Sequence, residues 1–300
     1  MTGTTQQRAV AGSSAENRIR ATAKKVGMLP AVALQAMELS RDPDCSIREF
    51  SQVVERDPSL AADILSISNS VLYSSGQPVL NLNQAVVRLG FNQCYHLILS
   101  ASMSALMKNV PLEEEWIRES LCRHGFVTGL LAVKLNSALN LRFSGEEFTV
   151  GLMHDFGRIL LAVAFPDRFA DLDDLSFDER HPDFLQREQA FPGLDHCDVC
   201  GLFAEMNGLP GTLIDTIRHH HDPAQATADR RLAALIALSD DMANYAQRVG
   251  NGEGYKPDAS FDFSLLGTKN TNADVVASLT EIAPTLIENS VFEAIEIGGY

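Results

Sequence analysis

The run from Val150 to Ala162 sets His154 and Asp155 side by side among otherwise apolar residues. An imidazole and a carboxylate in such surroundings are costly unless they are hydrogen-bonded or jointly hold a cation. Further donors are available. His124 lies upstream, and His196 and the triplet His219, His220 and His221 lie downstream. Asp240 and Asp241 follow in a later apolar helix, and either could face the same point. His181 sits in a polar, proline-flanked stretch and stays outside the set. Nitrogen and oxygen donors of this kind suit Fe, Mn, Ni, Zn or Co, and a bridging carboxylate would suit a binuclear pair. Such a metal can lower the pKa of a water and clamp a phosphate. The competing reading is that these histidines only hydrogen-bond inside a helical core.

The elements that must position these groups read as helices. Apolar residues recur at helical spacing almost throughout, and strand alternation is nowhere sustained, which implies an all-α bundle. Leu29-Pro30 ends a first helix and opens a second. Ser46 with Glu49 is a capping-box signature, and Asp57 caps a helix with Pro58 in its first turn. Asn83 is placed to cap a short helix that Gly90 ends, and a longer helix runs from about Asn92 to Met107. Another spans Trp116 to Asn140. Ser144 and Glu147 repeat the capping-box pattern before one helix, Glu146 to Ala164, that carries His154 and Asp155. An acidic stretch, Asp167 to Asp183, reads as a solvated loop. Helices then cover Phe184 to Phe191, His196 to Asn207, Gly211 to His221 and Arg231 to Val249. A last helix, Ala273 to Ile287, precedes an apolar tail, Val291 to Ile297, expected to pack on the bundle or on a second subunit.

The expected organisation is a disordered lead over 1–16, an N-terminal helical lobe over 17–110, a second lobe over 111–249 and a C-terminal extension over 250–300. The net charge of -15 over 300 residues excludes a general affinity for nucleic acid, because the chain repels phosphate backbones and shows no basic patch. No apolar run reaches the roughly 18 to 20 residues of a membrane span. The first residues lack a secretory signal pattern, so a cytoplasmic location is expected. Five cysteines without an export signal point to free thiols, and Cys197 and Cys200, though spaced C-x-x-C, read as small core residues.

A resemblance adds to this. Leu29-Pro30, Asp57-Pro58 with Leu60, Asn69-Ser70 with Tyr73, Gln84-Ala85 with Leu89-Gly90, His154-Asp155 with Gly157, Asp195-His196, Gly208-Leu209-Pro210 and His220-His221-Asp222-Pro223 follow one another as in HDOD domains. The chain resembles that family over about Val26 to Arg248. The resemblance implies two helical lobes, the second similar to HD-domain metal-dependent phosphohydrolases. His124, His154, Asp155 and Asp240 then match the H, HD and D ligands of those enzymes. His196, His220 and His221 resemble the additional ligands of HD-GYP enzymes, with Asp155 bridging two metals. No Gly-Tyr-Pro segment follows the histidine pair, and Arg158 stands where those enzymes carry a lysine, so cyclic di-GMP hydrolysis is not expected.

Two functions follow. The first is a regulatory protein of bacterial signal transduction, with a divalent transition metal in a hydrolytically silent second lobe and a signalling protein as partner. The alternative is a metal-dependent phosphohydrolase acting on a nucleotide or a phosphate ester. Homo-oligomerisation is compatible with either. In the first lobe, Asn69 is expected to close a helix end and Tyr73 to pack under the following loop.

Overall fold

The computed structural model describes residues 3–69, 77–178, 184–191, 193–258, 260–269 and 271–298, except for the side chains of 3–13 and 296–298. Ser70, Tyr73 and His181 lie outside the described residues. The helices are α1 (Gly3–Val26), α2 (Ala31–Arg41), α3 (Ile47–Val54), α4 (Pro58–Ser68), α5 (Leu82–Lys108), α6 (Glu115–Leu139), α7 (Glu146–Met153), α8 (Phe156–Ala164), α9 (Phe169–Leu172), α10 (Phe184–Ala190), α11 (His196–Met206), α12 (Gly211–His219), α13 (Arg230–Val249) and α14 (Asn272–Gly298). The described residues contain no strand, so the fold is all-α.

Two apolar cores give the molecule two lobes. The smaller gathers Phe50, Val54, Ile64, Leu97 and Ile98 from α3, α4 and α5. The larger gathers Leu131, Phe156, Phe203, Leu235 and Leu279 from α6, α8, α11, α13 and α14. Helix α5 serves both, because Leu97 and Ile98 face the first core while Tyr95, Leu99 and Met103 face the second. Helix α14 packs along α6. Among the described helices, none is long and apolar enough by itself to cross a membrane.

Caps fix several boundaries. Ser46 and Glu49 form the expected box, and Asp57 accepts a hydrogen bond from the Leu60 amide. Asn69 ends α4, its amide side chain donating to the carbonyls of Leu65 and Val79 and accepting from the Val79 amide. Gly90, at φ 81°, interrupts α5 at the position its sequence suggests.

Four local expectations are corrected. Asn81, not Asn83, caps α5. No Ser144 capping box forms; Gly145, at φ 111°, opens α7, and the Glu147 carboxylate accepts from the Gly145 amide at 2.8 Å and from Asn136 at 2.7 Å. The lead expected to be disordered is helical from Gly3, because Ala15, Ile19 and Ala23 give α1 a buried stripe against α8 and α11. The helix expected over Glu146 to Ala164 is broken at His154 and Asp155, which join α7 to α8.

Close helix approach is what sets the second lobe. A Cβ on Gly157 would lie 1.9 Å from the His196 carbonyl oxygen, and one on Gly125 would lie 2.4 Å from that of Leu152. The first contact brings α8 onto α11, and the second brings α6 onto α7. Gly157→Ala must therefore push backbone apart. It is expected to destabilise the protein by more than about 3 kcal/mol in urea denaturation.

The lobes also meet through polar groups. His96 Nδ1 on α5 is 3.1 Å from the Thr149 hydroxyl on α7, which is 3.1 Å from that of Ser100. Burial first, and Arg41 second, push His96 down to about 4. The unfolded chain takes up this proton near pH 6.5, but the folded chain does not until about pH 4, so acid draws the protein toward the unfolded state in that window. The stability difference between wild type and His96→Gln is expected to shrink by ~2 kcal/mol from pH 7.5 to 4.5, at ~1.4 kcal/mol per unit. An unchanged difference would contradict this.

Candidate metal centre

The break between α7 and α8 is the key to the site. On a continuous helix neighbouring side chains diverge by about 100°. His154 instead ends α7 while Asp155 precedes α8 in a non-helical conformation, at φ -95° and ψ 6°, and both reach the same interior point. Helix α6 supplies His124, α11 supplies His196, the end of α12 supplies His220 and His221, and α13 supplies Asp240.

All seven residues expected as ligands converge. His124 Nε2 is 2.9 Å from Asp240 Oδ1 and 3.7 Å from Asp155 Oδ2. His154 Nε2 lies 3.3 Å from Asp240 Oδ1 and 3.6 Å from Asp155 Oδ1. On the other flank of Asp155, Oδ1 is 3.3 Å from His196 Nε2 and 4.0 Å from His220 Nε2. His221 Nε2 is 3.0 Å from His196 Nε2. Two of the groupings close enough to share a cation are His124 with His154 and Asp155, and His154 with His220 and Asp240.

Asp240 and Asp241 are now separated. Asp240 faces the cluster, while Asp241 accepts a hydrogen bond from the Tyr255 hydroxyl at 2.7 Å. His219 turns away from the cluster and pairs with Asp215 at 3.2 Å.

The second nitrogens of several imidazoles are spoken for. His154 Nδ1 lies 2.8 Å from the Gly151 carbonyl and His220 Nδ1 lies 2.7 Å from that of Ile217, so each ring turns Nε2 inward. Glu188 holds His196, 2.7 Å from Nδ1 and 2.8 Å from its amide. A carboxylate or carbonyl behind the ring is the usual support of a metal-binding imidazole. The inward-facing His154 Nε2, His220 Nε2 and Asp155 Oδ1 are buried without a hydrogen-bond partner. Orphaned donors and acceptors of this number, all nitrogen and oxygen, fit a divalent transition metal.

Electrostatics agree with that fit. Burial alone would raise Asp155, but His154, Arg158, His196 and His124 outweigh it and hold its carboxyl well below the ordinary range. Asp240 is lowered in the same way, with the hydrogen bond from His124 and the nearby His154 imidazole overcoming burial. Burial and the neighbouring imidazoles press His220 down to about 3 and carry His221 well down too. His154 and His196 move up despite burial, His154 through Asp155 and Asp240, His196 through Cys197 and Glu188. The site thus offers ionised carboxylates and, at His220 and His221, neutral imidazoles, while His154 and His196 would release a proton as a cation displaced it.

Several further residues stand around the cluster. Arg158, fully buried, donates to Asp155 Oδ2 at 2.7 Å and clasps Asp173 through two bonds of 2.7 and 3.0 Å. The stretch expected to be a solvated loop therefore has a buried member in Asp173, and it also contains the short helix α9. In the same stretch Phe177, at φ 53°, lays its ring 5.1 Å from that of His124 and beneath the Arg158 guanidinium. Cys197 is buried as expected, and its Sγ is 3.4 Å from His196 Nε2. Burial pushes its thiol up to about 12. Arg158 and Cys197 stand out in the sequence, one as a charge three residues after Asp155 and the other in C-x-x-C, but nothing local marks Asp173 or Phe177.

A pocket of about 160 Å3 reaches the cluster from outside, lined by His220, His221, Asp240, Asp241, Asn244 and Arg248, with Asp258 and Phe261 from the C-terminal extension.

Comparison with known proteins places the fold. Among solved structures, an HDOD domain protein of unknown function from Geobacter sulfurreducens superposes with a TM-score of 0.69 at 23% identity, covering 94% of this chain and 98% of the other. A protein of Shewanella amazonensis SB2B, provisionally named a phosphohydrolase, gives a TM-score of 0.63 at 19% identity, over 91% of this chain and 98% of its own. An uncharacterised protein of Treponema pallidum (strain Nichols) is 23% identical over 230 residues, which are 76% of this chain. The match spans only 43% of that relative's length. The solved structures, all below 25% identity, share the fold. The HDOD domain family model matches residues 26–223, and the chain therefore belongs to the HDOD domain family.

Proposed function

We propose that this chain is a regulatory protein of bacterial signal transduction whose second lobe holds a divalent transition metal without hydrolysing a nucleotide. The observation that carries this reading is the small size of the pocket at the site. The pocket reaching the cluster, about 160 Å3, falls below the roughly 300 to 1,000 Å3 of sites that enclose ligands of nucleotide size. Beyond Asp240, which the metal would engage, its wall bears Asp241 and Asp258 with Arg248 as the one cation among the described lining residues. Phe177 covers His124, and Arg158 occupies one oxygen of Asp155. In this reading the metal ties α6, α7, α11, α12 and α13 together, and a signalling partner reads the resulting surface.

One observation favours a second reading. The complete set His124, His154, Asp155 and Asp240 is assembled in one place, and a bound metal would there supply an activated water for a phosphate ester. The two readings separate in an assay of the purified protein loaded with Mn, Fe, Ni or Co. Cyclic dinucleotides, nucleotides and simple phosphate esters are expected to release no more phosphate or linear product than with Asp155→Ala. Turnover abolished by Asp155→Ala would reject the regulatory reading and establish the phosphohydrolase.

A further inference from the structure

We propose that Cys197 is a thiolate ligand of a zinc centre formed with His196, His220 and His221, on the flank of Asp155 away from His124. This assignment rests on the metal-bearing reading above. The donor atoms of these four residues lie within 4.8 Å of one another, a set separate from that of His124, His154 and Asp155.

Two of the spacings are near those of a tetrahedral site. Metal–nitrogen bonds of ~2.05 Å and a metal–sulfur bond of ~2.3 Å place tetrahedral ligands about 3.3 Å apart for two nitrogens and about 3.6 Å apart for nitrogen and sulfur. His196 Nε2 and His221 Nε2 are 3.0 Å apart, and Cys197 Sγ is 3.4 Å from His196 Nε2. Both separations are within a few tenths of an ångström of their ideals. Cys197 Sγ lies 3.8 Å from His220 Nδ1, the nitrogen held by the Ile217 carbonyl, so His220 joins the site through its Nε2 once the ion draws the ring toward it.

The surroundings are built for one as well. Glu188 fixes His196 from behind, leaving Nε2 to the site, and His220 Nε2 is buried with no partner. Cys200 behaves differently, since its thiol donates to the Met153 carbonyl at 3.0 Å and lies in the core. A thiolate among imidazoles favours zinc over manganese or iron, because sulfur is the softer donor. As the sulfur–metal bond forms, the thiol proton leaves to solvent, so uptake releases a proton. The two flanks of Asp155 would then select different ions.

Cobalt is the spectroscopic probe, because a thiolate bound to tetrahedral Co2+ gives an intense sulfur-to-metal band in the near ultraviolet. Metal-free full-length protein titrated with Co2+ is expected to develop that band and to lose it on addition of Zn2+. Cys197→Ser should bind cobalt without the band and hold zinc more weakly by more than about tenfold, while Cys200→Ser keeps the band. X-ray absorption of the zinc-loaded wild type should show sulfur in the coordination shell, a readout that does not depend on any variant folding. Cobalt binding without the band, or a band that persists in Cys197→Ser, overturns the thiolate assignment and leaves the metal reading intact. No cobalt uptake at all overturns both.

Discussion

Two carboxylates, Asp155 and Asp240, lie almost completely buried among five imidazoles, and the architecture of the second lobe follows from the need to stabilise them. An unpaired buried charge costs several kcal/mol, so each must be matched by charge and by hydrogen bonds. Arg158 matches one oxygen of Asp155 and is itself neutralised by Asp173. His124, His154 and Asn244 surround Asp240. Among the groups that protein partners leave unmatched, Asp155 Oδ1, His154 Nε2 and His220 Nε2 face a common interior point.

That convergence explains features that otherwise have no purpose. The glycines at 125 and 157 let α6 meet α7 and α8 meet α11 at backbone distance, which brings His124 and His196 within reach of Asp155. The helix break at His154 and Asp155 gives up backbone regularity, and two ligands then point the same way. Leu175 and Phe177, neither a glycine, hold positive φ angles in the segment that seats Phe177 over His124. Backbone strain of this kind persists only where neighbouring structure imposes it, and it commonly gathers at functional sites. Here the imposing contacts are the His124 ring below and the Arg158 guanidinium beside it.

The sequence was informative where a signal is local or repeats along the chain. Helical periodicity yields the all-α fold, and the caps at Ser46 and Asp57 stand where their side chains put them. Most of the candidate ligands are legible because His and Asp in apolar stretches are conspicuous, while the choice of Asp240 over Asp241 and of His220 and His221 over His219 comes from the order of short motifs that points to the family. Contacts made at a distance left no such mark. Nothing around Glu188 indicates that it will support His196, because that contact depends on how α10 lies against the start of α11. Asp173 looked like one of several surface acids until Arg158 drew it inward. The Asn81 cap and the helical start of the chain were missed for a related reason: alternative caps two residues apart look equivalent in one dimension, and α1 owes its buried stripe to α8 and α11.

Elemental analysis of the protein, purified without chelator and then offered Mn, Fe, Co, Ni and Zn, tests the central claim most directly. The account predicts transition metal in at least equimolar amount, reduced when His154→Ala and Asp155→Ala are combined. Wild-type protein that is folded yet holds no more metal than this double variant would show that the buried histidines and carboxylates satisfy one another, and would contradict the account.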